Sequence, residues 1–211
     1  MLEIELKSHD LKEFLYLKLE KNKEEVLFDE DLNGIEELDL NKLDIIGEEN
    51  DVTLEDLVFF SNLRTLYISN FVLDDKCISL INSRANLEFL QINNCIFQNN
   101  ENLKVNAKHI AIVDSENIKL SKIEDTDNLE KLHIVNCACV DLTGISQLTN
   151  LKKVYLQNMD LNDLSEVVKI KGLVYLNLNG SKVEDSSFNE NNYDFIIEHE
   201  EINALYDSEN E

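Results

Sequence analysis

The sequence predicts an α/β repeat solenoid, with a parallel sheet on its concave side and 3-10 turns plus a short helix on its convex side. Three observations lead there. First, the segments LEKLHIVNCAC (129–139), LKKVYLQNMDL (151–161) and LVYLNLNGSKV (173–183) share one order of apolar positions and start 22 residues apart. A fixed period of about 20–29 residues marks units that stack, each burying its apolar face against its neighbours. Second, the same frame extends back through the chain. Its fourth and sixth positions fall at Leu38/Leu40, Leu66/Ile68, Leu90/Ile92, Ile110/Ile112, Leu132/Ile134, Val154/Leu156 and Leu176/Leu178, in steps of 28, 24, 20, 22, 22 and 22 residues. Third, the intervening segments carry apolar residues at every third position, as the eclipsed side chains of a 3-10 turn require.

Each strand follows from its alternation. Side chains on a strand point to opposite faces with period 2, so the fourth and sixth positions enter the core together. The third, fifth and seventh then face away from it. Return segments with the three-residue spacing are Leu54, Leu57, Phe60, Leu63; Leu120, Ile123, Thr126, Leu129; Leu142, Ile145, Leu148, Leu151; and Leu164, Val167, Ile170, Leu173. Residues 74–86 break that rule. Cys77, Leu80, Ile81 and Arg84 lie at helical spacing, which predicts a short α-helix.

The repeat pattern resembles that of the leucine-rich repeat family, in its internalin type with 22-residue units. The resemblance covers residues 35–183 as seven repeats, and it implies a surface for gripping other proteins rather than an enzyme. The ninth position departs from the family's Asn. It holds Leu43, Phe71, Cys95, Ser115, Cys137, Met159 and Ser181, while Asn70, Asn94, Asn136 and Asn158 sit one residue earlier. The turn is therefore expected to rely on apolar packing and water. In the fourth repeat the eleventh position is Asn117 and Ile118 follows one place late, which predicts a bulge.

Terminal units need caps. Residues 1–34 are expected to form an N-terminal cap or a degenerate first repeat, in which Leu15 and Leu17 stand 23 residues before Leu38 and Leu40. Residues 184–206 are expected as a C-terminal cap with a last strand over 195–197, and residues 207–211 as an acidic disordered tail.

Composition narrows the function. At 211 residues the chain is long enough for one continuous core. The start, MLEIELKSHD, lacks the apolar run of an export signal, and no stretch approaches the length of a membrane span. With four cysteines in no disulfide pattern, this favours a reducing, cytoplasmic setting and a monomer on its own. The net charge is −24; residues 184–211 hold ten acids and no Lys or Arg. Such a field repels phosphate backbones and argues against nucleic acid, while it speeds encounter with a basic protein.

Outward positions form three columns. The third reads Glu37, Thr65, Phe89, His109, Lys131, Lys153, Tyr175; the fifth Asp39, Tyr67, Gln91, Ala111, His133, Tyr155, Asn177; the seventh Asn41, Ser69, Asn93, Val113, Val135, Gln157, Asn179. Tyr67, Phe89, His109, His133, Tyr155 and Tyr175 make a band of rings at positions expected to be exposed. With Lys131 and Lys153 they have the composition of a protein-binding hot spot, although rings on neighbouring strands also shelter one another.

No motif supports catalysis or a cofactor. Cys95, Cys137 and Cys139 fall at core positions, and Cys77 on the helix stripe, so all four are expected to be small buried hydrophobes. His109 and His133 come close on adjacent strands, but two histidines without a third ligand make a poor zinc site. Asp114 is near enough to orient one of them, yet an open sheet offers no pocket for acid–base work. Two readings stay open: a non-catalytic module that binds a folded protein on its concave face, or an acidic inhibitor or immunity-type protein that neutralises a basic enzyme or toxin.

Overall fold

Eight parallel strands form the spine of the molecule. The computed structural model describes residues 2–43, 52–98, 100–124 and 128–200. The strands are β1 (Glu37–Asp39), β2 (Thr65–Ser69), β3 (Phe89–Asn93), β4 (His109–Val113), β5 (Lys131–Val135), β6 (Lys153–Gln157), β7 (Tyr175–Asn177) and β8 (Ile196–Glu198), paired in chain order throughout. Every fourth and sixth position named above is at most 2% exposed. The pairing is in frame as well: Leu38, Leu66, Leu90, Ile110, Leu132, Val154 and Leu176 meet side by side across the strands. One apolar file thus runs the length of the stack.

Return segments take the conformation that their spacing predicts. Short 3-10 turns occupy Leu54–Phe59, Leu120–Lys122, Ile145–Gln147 and Val167–Lys169. Leu54, Leu57, Phe60 and Leu63, like Leu164 and Val167, are buried by them. Thr126 lies outside the described residues. The expected helix is present at Asp75–Asn82, where the Asp74 carboxylate caps the N-terminus by accepting from the Cys77 amide at 2.8 Å. Its buried face is Ile78 and Ile81, with Cys77 and Leu80 only half buried. Arg84 sits past the helix end and does different work, donating from Nη1 to the Leu57 and Phe60 carbonyls at 2.6 and 3.1 Å. It ties the helix end to the preceding 3-10 turn, sharing the Leu57 carbonyl with the Phe60 amide.

The turn after each strand keeps the expected apolar packing at Leu43, Phe71 and Met159 and adds hydrogen bonds in the other repeats. Asn70, Asn94, Asp114, Asn136, Asn158 and Gly180 all adopt positive φ, between 47° and 74°. Asn, Asp and Gly tolerate that left-handed region best, which explains why they occupy the eighth position. At the ninth position Cys95, Ser115, Cys137 and Ser181 turn inward and carry hydrogen bonds. Ser115 Oγ accepts from the Cys95 amide at 3.0 Å and donates to the Val113 carbonyl at 2.8 Å. Ser181 Oγ accepts from the Met159 amide at 3.1 Å and donates to the Leu156 carbonyl at 2.8 Å. Cys95 and Cys137 thiols donate to the Asn93 and Val135 carbonyls. Ser and Cys here serve as polar rungs that pair these turn backbone groups.

The bulge expected at Asn117 recurs one repeat later, and this overturns the core placement of Cys139. Asn117 and Cys139 have φ of 60° and 54°, and Cys139 is exposed while Cys95 and Cys137 are buried. The left-handed backbone at position eleven turns that side chain outward and hands its core role to Ile118 and the half-buried Val140. Burial pushes the Cys77 and Cys95 thiols up to about 11, and raises Cys137 as well. A thiol reagent on the native protein is therefore expected to label Cys139 quickly and Cys95 and Cys137 only in denaturant; fast native labelling of Cys137 sinks the assignment.

At the N-terminus Leu15 and Leu17 do not form a repeat strand. They lie in helix α1 (His9–Lys18), Leu15 buried and Leu17 74% exposed. Helical spacing of Leu11 and Leu15, which are both buried, overrides the strand frame. The buried Asp56 carboxylate fastens this segment to the solenoid by accepting from the Lys7 and Ser8 amides at 2.8 and 2.9 Å. At the other end β8 starts at Ile196, one residue later than expected, with Ile197 beside Leu176 on the core side. Phe188, Tyr193 and Phe195 stack in series beneath it, at 5.6 and 5.4 Å between centroids. The tail at 207–211 lies outside the described residues. Among the described residues no helix is long and apolar enough to cross a membrane.

Candidate functional site

The site is built by register alone. Parallel pairing sets Phe89, His109, Lys131, Lys153 and Tyr175 in one column and Tyr67, Gln91, Ala111, His133, Tyr155 and Asn177 in the next. Their side chains point away from the core because their neighbours in sequence point into it. With strands ~4.8 Å apart, eight of them span on the order of 35 Å.

All six predicted rings meet. Tyr67 lies 5.3 Å from Phe89, Phe89 4.7 Å from His109 edge-on, His109 4.7 Å from His133, His133 3.8 Å from Tyr155, and Tyr155 5.3 Å from Tyr175. The ladder zigzags between the two columns over six strands. Its tightest step is the stack of His133 on Tyr155, with planes 18° apart. The rings are half buried rather than exposed, since each covers the next. Lys153 is exposed and Lys131 half buried beside them. At the C-terminal end the Tyr175 hydroxyl donates to the Glu198 carboxylate, which also accepts from Asn177 Nδ2 at 3.0 Å. That anchor on β8 was hidden in the sequence, because the final repeat has no apolar frame to reveal it.

Electrostatics of the face differ from those of the whole chain. Between β2 and β7 the three outward columns contain no acid. Glu37 and Asp39 stand on β1 and Glu198 on β8. Along the sheet margin Arg64 pairs with Glu88 at 2.5 Å and Lys152 with Glu130 at 2.7 Å, so charge there is compensated. Asp114 does not orient a histidine; it lies in the turn row and accepts from the Asn136 amide group.

His109 and His133 are held neutral. Burial lowers both to about 4, helped by the Lys131 ammonium beside them. Each Nε2 is covered and has no hydrogen-bond partner. Unfolded imidazoles titrate near 6.5, so between that value and about 4 the unfolded chain binds more protons. Stability must then fall as pH drops through this window, by at most ~1.4 kcal/mol per pH unit for each histidine, less in proportion to their exposure. Urea midpoints at pH 7 and pH 5 are expected to separate in the parent and to converge in His109→Gln/His133→Gln. Equal separation in both refutes the assignment. Glu55, which its Lys7 and Lys76 partners pull from 4.5 to about 2, responds mainly between those values, below the pH 5 arm of the test.

Among the described residues no three His, Cys, Asp or Glu side chains gather as a metal would require. The sequence matches no family model and no curated protein. Solved structures that share the fold include two internalins. An internalin (inlF) from Listeria monocytogenes superposes at a TM-score of 0.59 with 18% identity, over 83% of this chain and 57% of that one. Internalin C2 of the same organism gives 0.52 and 18%, over 92% of this chain and 93% of its own. This chain thus spans a little over half the length of the first. With an in-frame parallel sheet, 3-10 return turns and these two superpositions, the chain has the leucine-rich repeat solenoid fold of the internalin type.

Proposed function

We propose that this chain is a non-catalytic interaction module that binds a folded protein on its concave face, centred on Tyr155 with Tyr67, Phe89, His109, Lys131, His133, Lys153 and Tyr175 around it. The observation that carries this is the unbroken ladder of six half-buried rings on the acid-free part of a strongly acidic protein. Rigid rings bury large area at low entropic cost, and hot spots are built from them. The module is monomeric on its own and takes a protein, not nucleic acid or a membrane. Its four free thiols fit a reducing, cytoplasmic setting.

A second reading draws on the ten acids and absent bases of residues 184–211. There the acidic end steers the chain onto a basic enzyme or toxin, which it inhibits. Salt separates the two. Affinity capture with parent and Tyr155→Ala baits, at low and high ionic strength, is expected to yield a partner that needs Tyr155 and tolerates salt. A partner indifferent to Tyr155 whose on-rate collapses with salt favours the inhibitor.

A further inference from the structure

We infer that His109, Lys131, His133 and Lys153 form a receptor for a carboxylate, an Asp or Glu side chain presented by the protein partner. This rests on the concave-face reading and names the chemistry of its centre.

The four groups are contiguous. His109, Lys131 and Lys153 are successive members of one column on β4, β5 and β6, and His133 lies two residues along β5 from Lys131. Like charges placed directly opposite on neighbouring strands destabilise a sheet. The Lys131 and Lys153 pair is such a case, and neither has an ion-pair partner among the described residues. Lys152, one residue away, is by contrast tied to Glu130. A chain with 43 acids has thus left two adjacent lysines uncompensated.

The histidines add a second, independent sign. Two side-by-side imidazole nitrogens without hydrogen-bond partners are unusual, because unmet buried polar groups are costly. The groups around them supply no acceptor carboxylate. His109 faces Phe89 and Gln91 from β3 and Lys131 and His133 from β5; His133 faces His109 and Ala111 from β4 and Lys153 and Tyr155 from β6. A carboxylate accepts from ammonium and imidazolium alike, so one such group satisfies all four. Reaching Nε2 requires a ring to rotate, a common side-chain change at interfaces. The chain's overall negative charge does not prevent this, since exposed charges beyond about 8 Å are screened at physiological ionic strength.

A proton follows from this. Both imidazoles are neutral in the free protein, at about 4. An opposite charge beside them favours the charged form, so docking takes up protons and tightens as pH falls below the usual histidine range.

The test uses three capped tetrapeptides, each with one phenylalanine and differing only in a glutamate, glutamine or lysine. They are titrated at up to about 10 mM into the full chain in the presence of EDTA, a range suited to millimolar affinity. The readout is nuclear magnetic resonance of the imidazoles. The glutamate peptide is expected to move the His109 and His133 signals and to bind about tenfold tighter than the glutamine peptide. It should tighten by roughly threefold or more from pH 7.5 to 5.5, above the carboxyl titration of the peptide itself. His109→Gln/His133→Gln should abolish that pH response, and Lys131→Met/Lys153→Met the glutamate preference, with circular dichroism unchanged in both. Equal binding of the glutamate and glutamine peptides overturns the carboxylate receptor and leaves the concave face standing. Preference for the lysine peptide overturns it and supports the acidic-inhibitor reading. No shift with any peptide, or shifts away from these four residues, also overturns it, and the concave face is then judged by the Tyr155 variant alone.

Discussion

Leu156→Asp is expected to unfold the stack. Leu156 is fully buried on β6, beside Ile134 on β5. Removing a core leucine costs about 2–5 kcal/mol through lost burial and a residual cavity. An aspartate adds the penalty of a carboxylate with no partner, several kcal/mol more. Against a typical total stability of about 5–15 kcal/mol, the sum leaves little or nothing. Position matters too. Each repeat is stabilised by its neighbours, so damage at β6 removes the support of β7 and β8 as well as its own. Leu156→Met, similar in volume, should cost less than about 1.5 kcal/mol. Circular dichroism and urea denaturation decide the matter. A soluble Leu156→Asp with an unaltered spectrum and a cooperative transition would show that the repeat frame is wrong.

The frame was legible because it rests on the most robust sequence signal, apolar periodicity. From Leu66 to Leu178, pairs two residues apart fix which face of each strand is buried. Parallel register then carries that choice across the sheet without further information. Features that escaped the sequence are those in which a local choice competes with the period. Leu15 and Leu17 fit a strand frame, but Leu11 and Leu15 also fit a helix, and Ser8 caps that helix by accepting from the Leu11 amide at 3.0 Å. Cys139 stands at a core position by count, yet its own left-handed backbone turns it outward. The neighbouring repeat carried the warning, since the late Ile118 already marked the same bulge.

The candidate site shows the same division. Its columns follow from alternation, so every ring on the face could be named in advance. Their exposure could not, because it depends on how rings in adjacent strands lean. The zigzag from third to fifth column and back lets each ring cover the next, as in the stack of His133 on Tyr155. Consequences for charge were equally hidden. Neutral histidines at the centre arise from that mutual cover and from Lys131, not from any local motif.

Tyr155→Ala is expected to weaken partner binding by ~2 kcal/mol or more, close to thirtyfold in affinity. Tyr155 is the fifth of the six rings and is covered on both sides, by His133 at 3.8 Å and Tyr175 at 5.3 Å. Truncation there removes a large rigid contact and frees both neighbours to rotate, so the loss exceeds that of one ring. The same contacts mean that stability must fall somewhat, by about 0.5–1.5 kcal/mol for the lost stacking. That is small beside the cost of Leu156→Asp, and the backbone of β6 stays paired on both sides. Binding and stability are thus separable: a urea midpoint corrects for any unfolded fraction, and a captured partner reports affinity. Removing residues 207–211 should change affinity far less. If the partner holds Tyr155→Ala and a Lys131/Lys153 double variant as tightly as the parent, the concave face is not the contact. The acidic ends or the convex turns then take its place, because they carry the charge and the exposed surface that the sheet leaves unused.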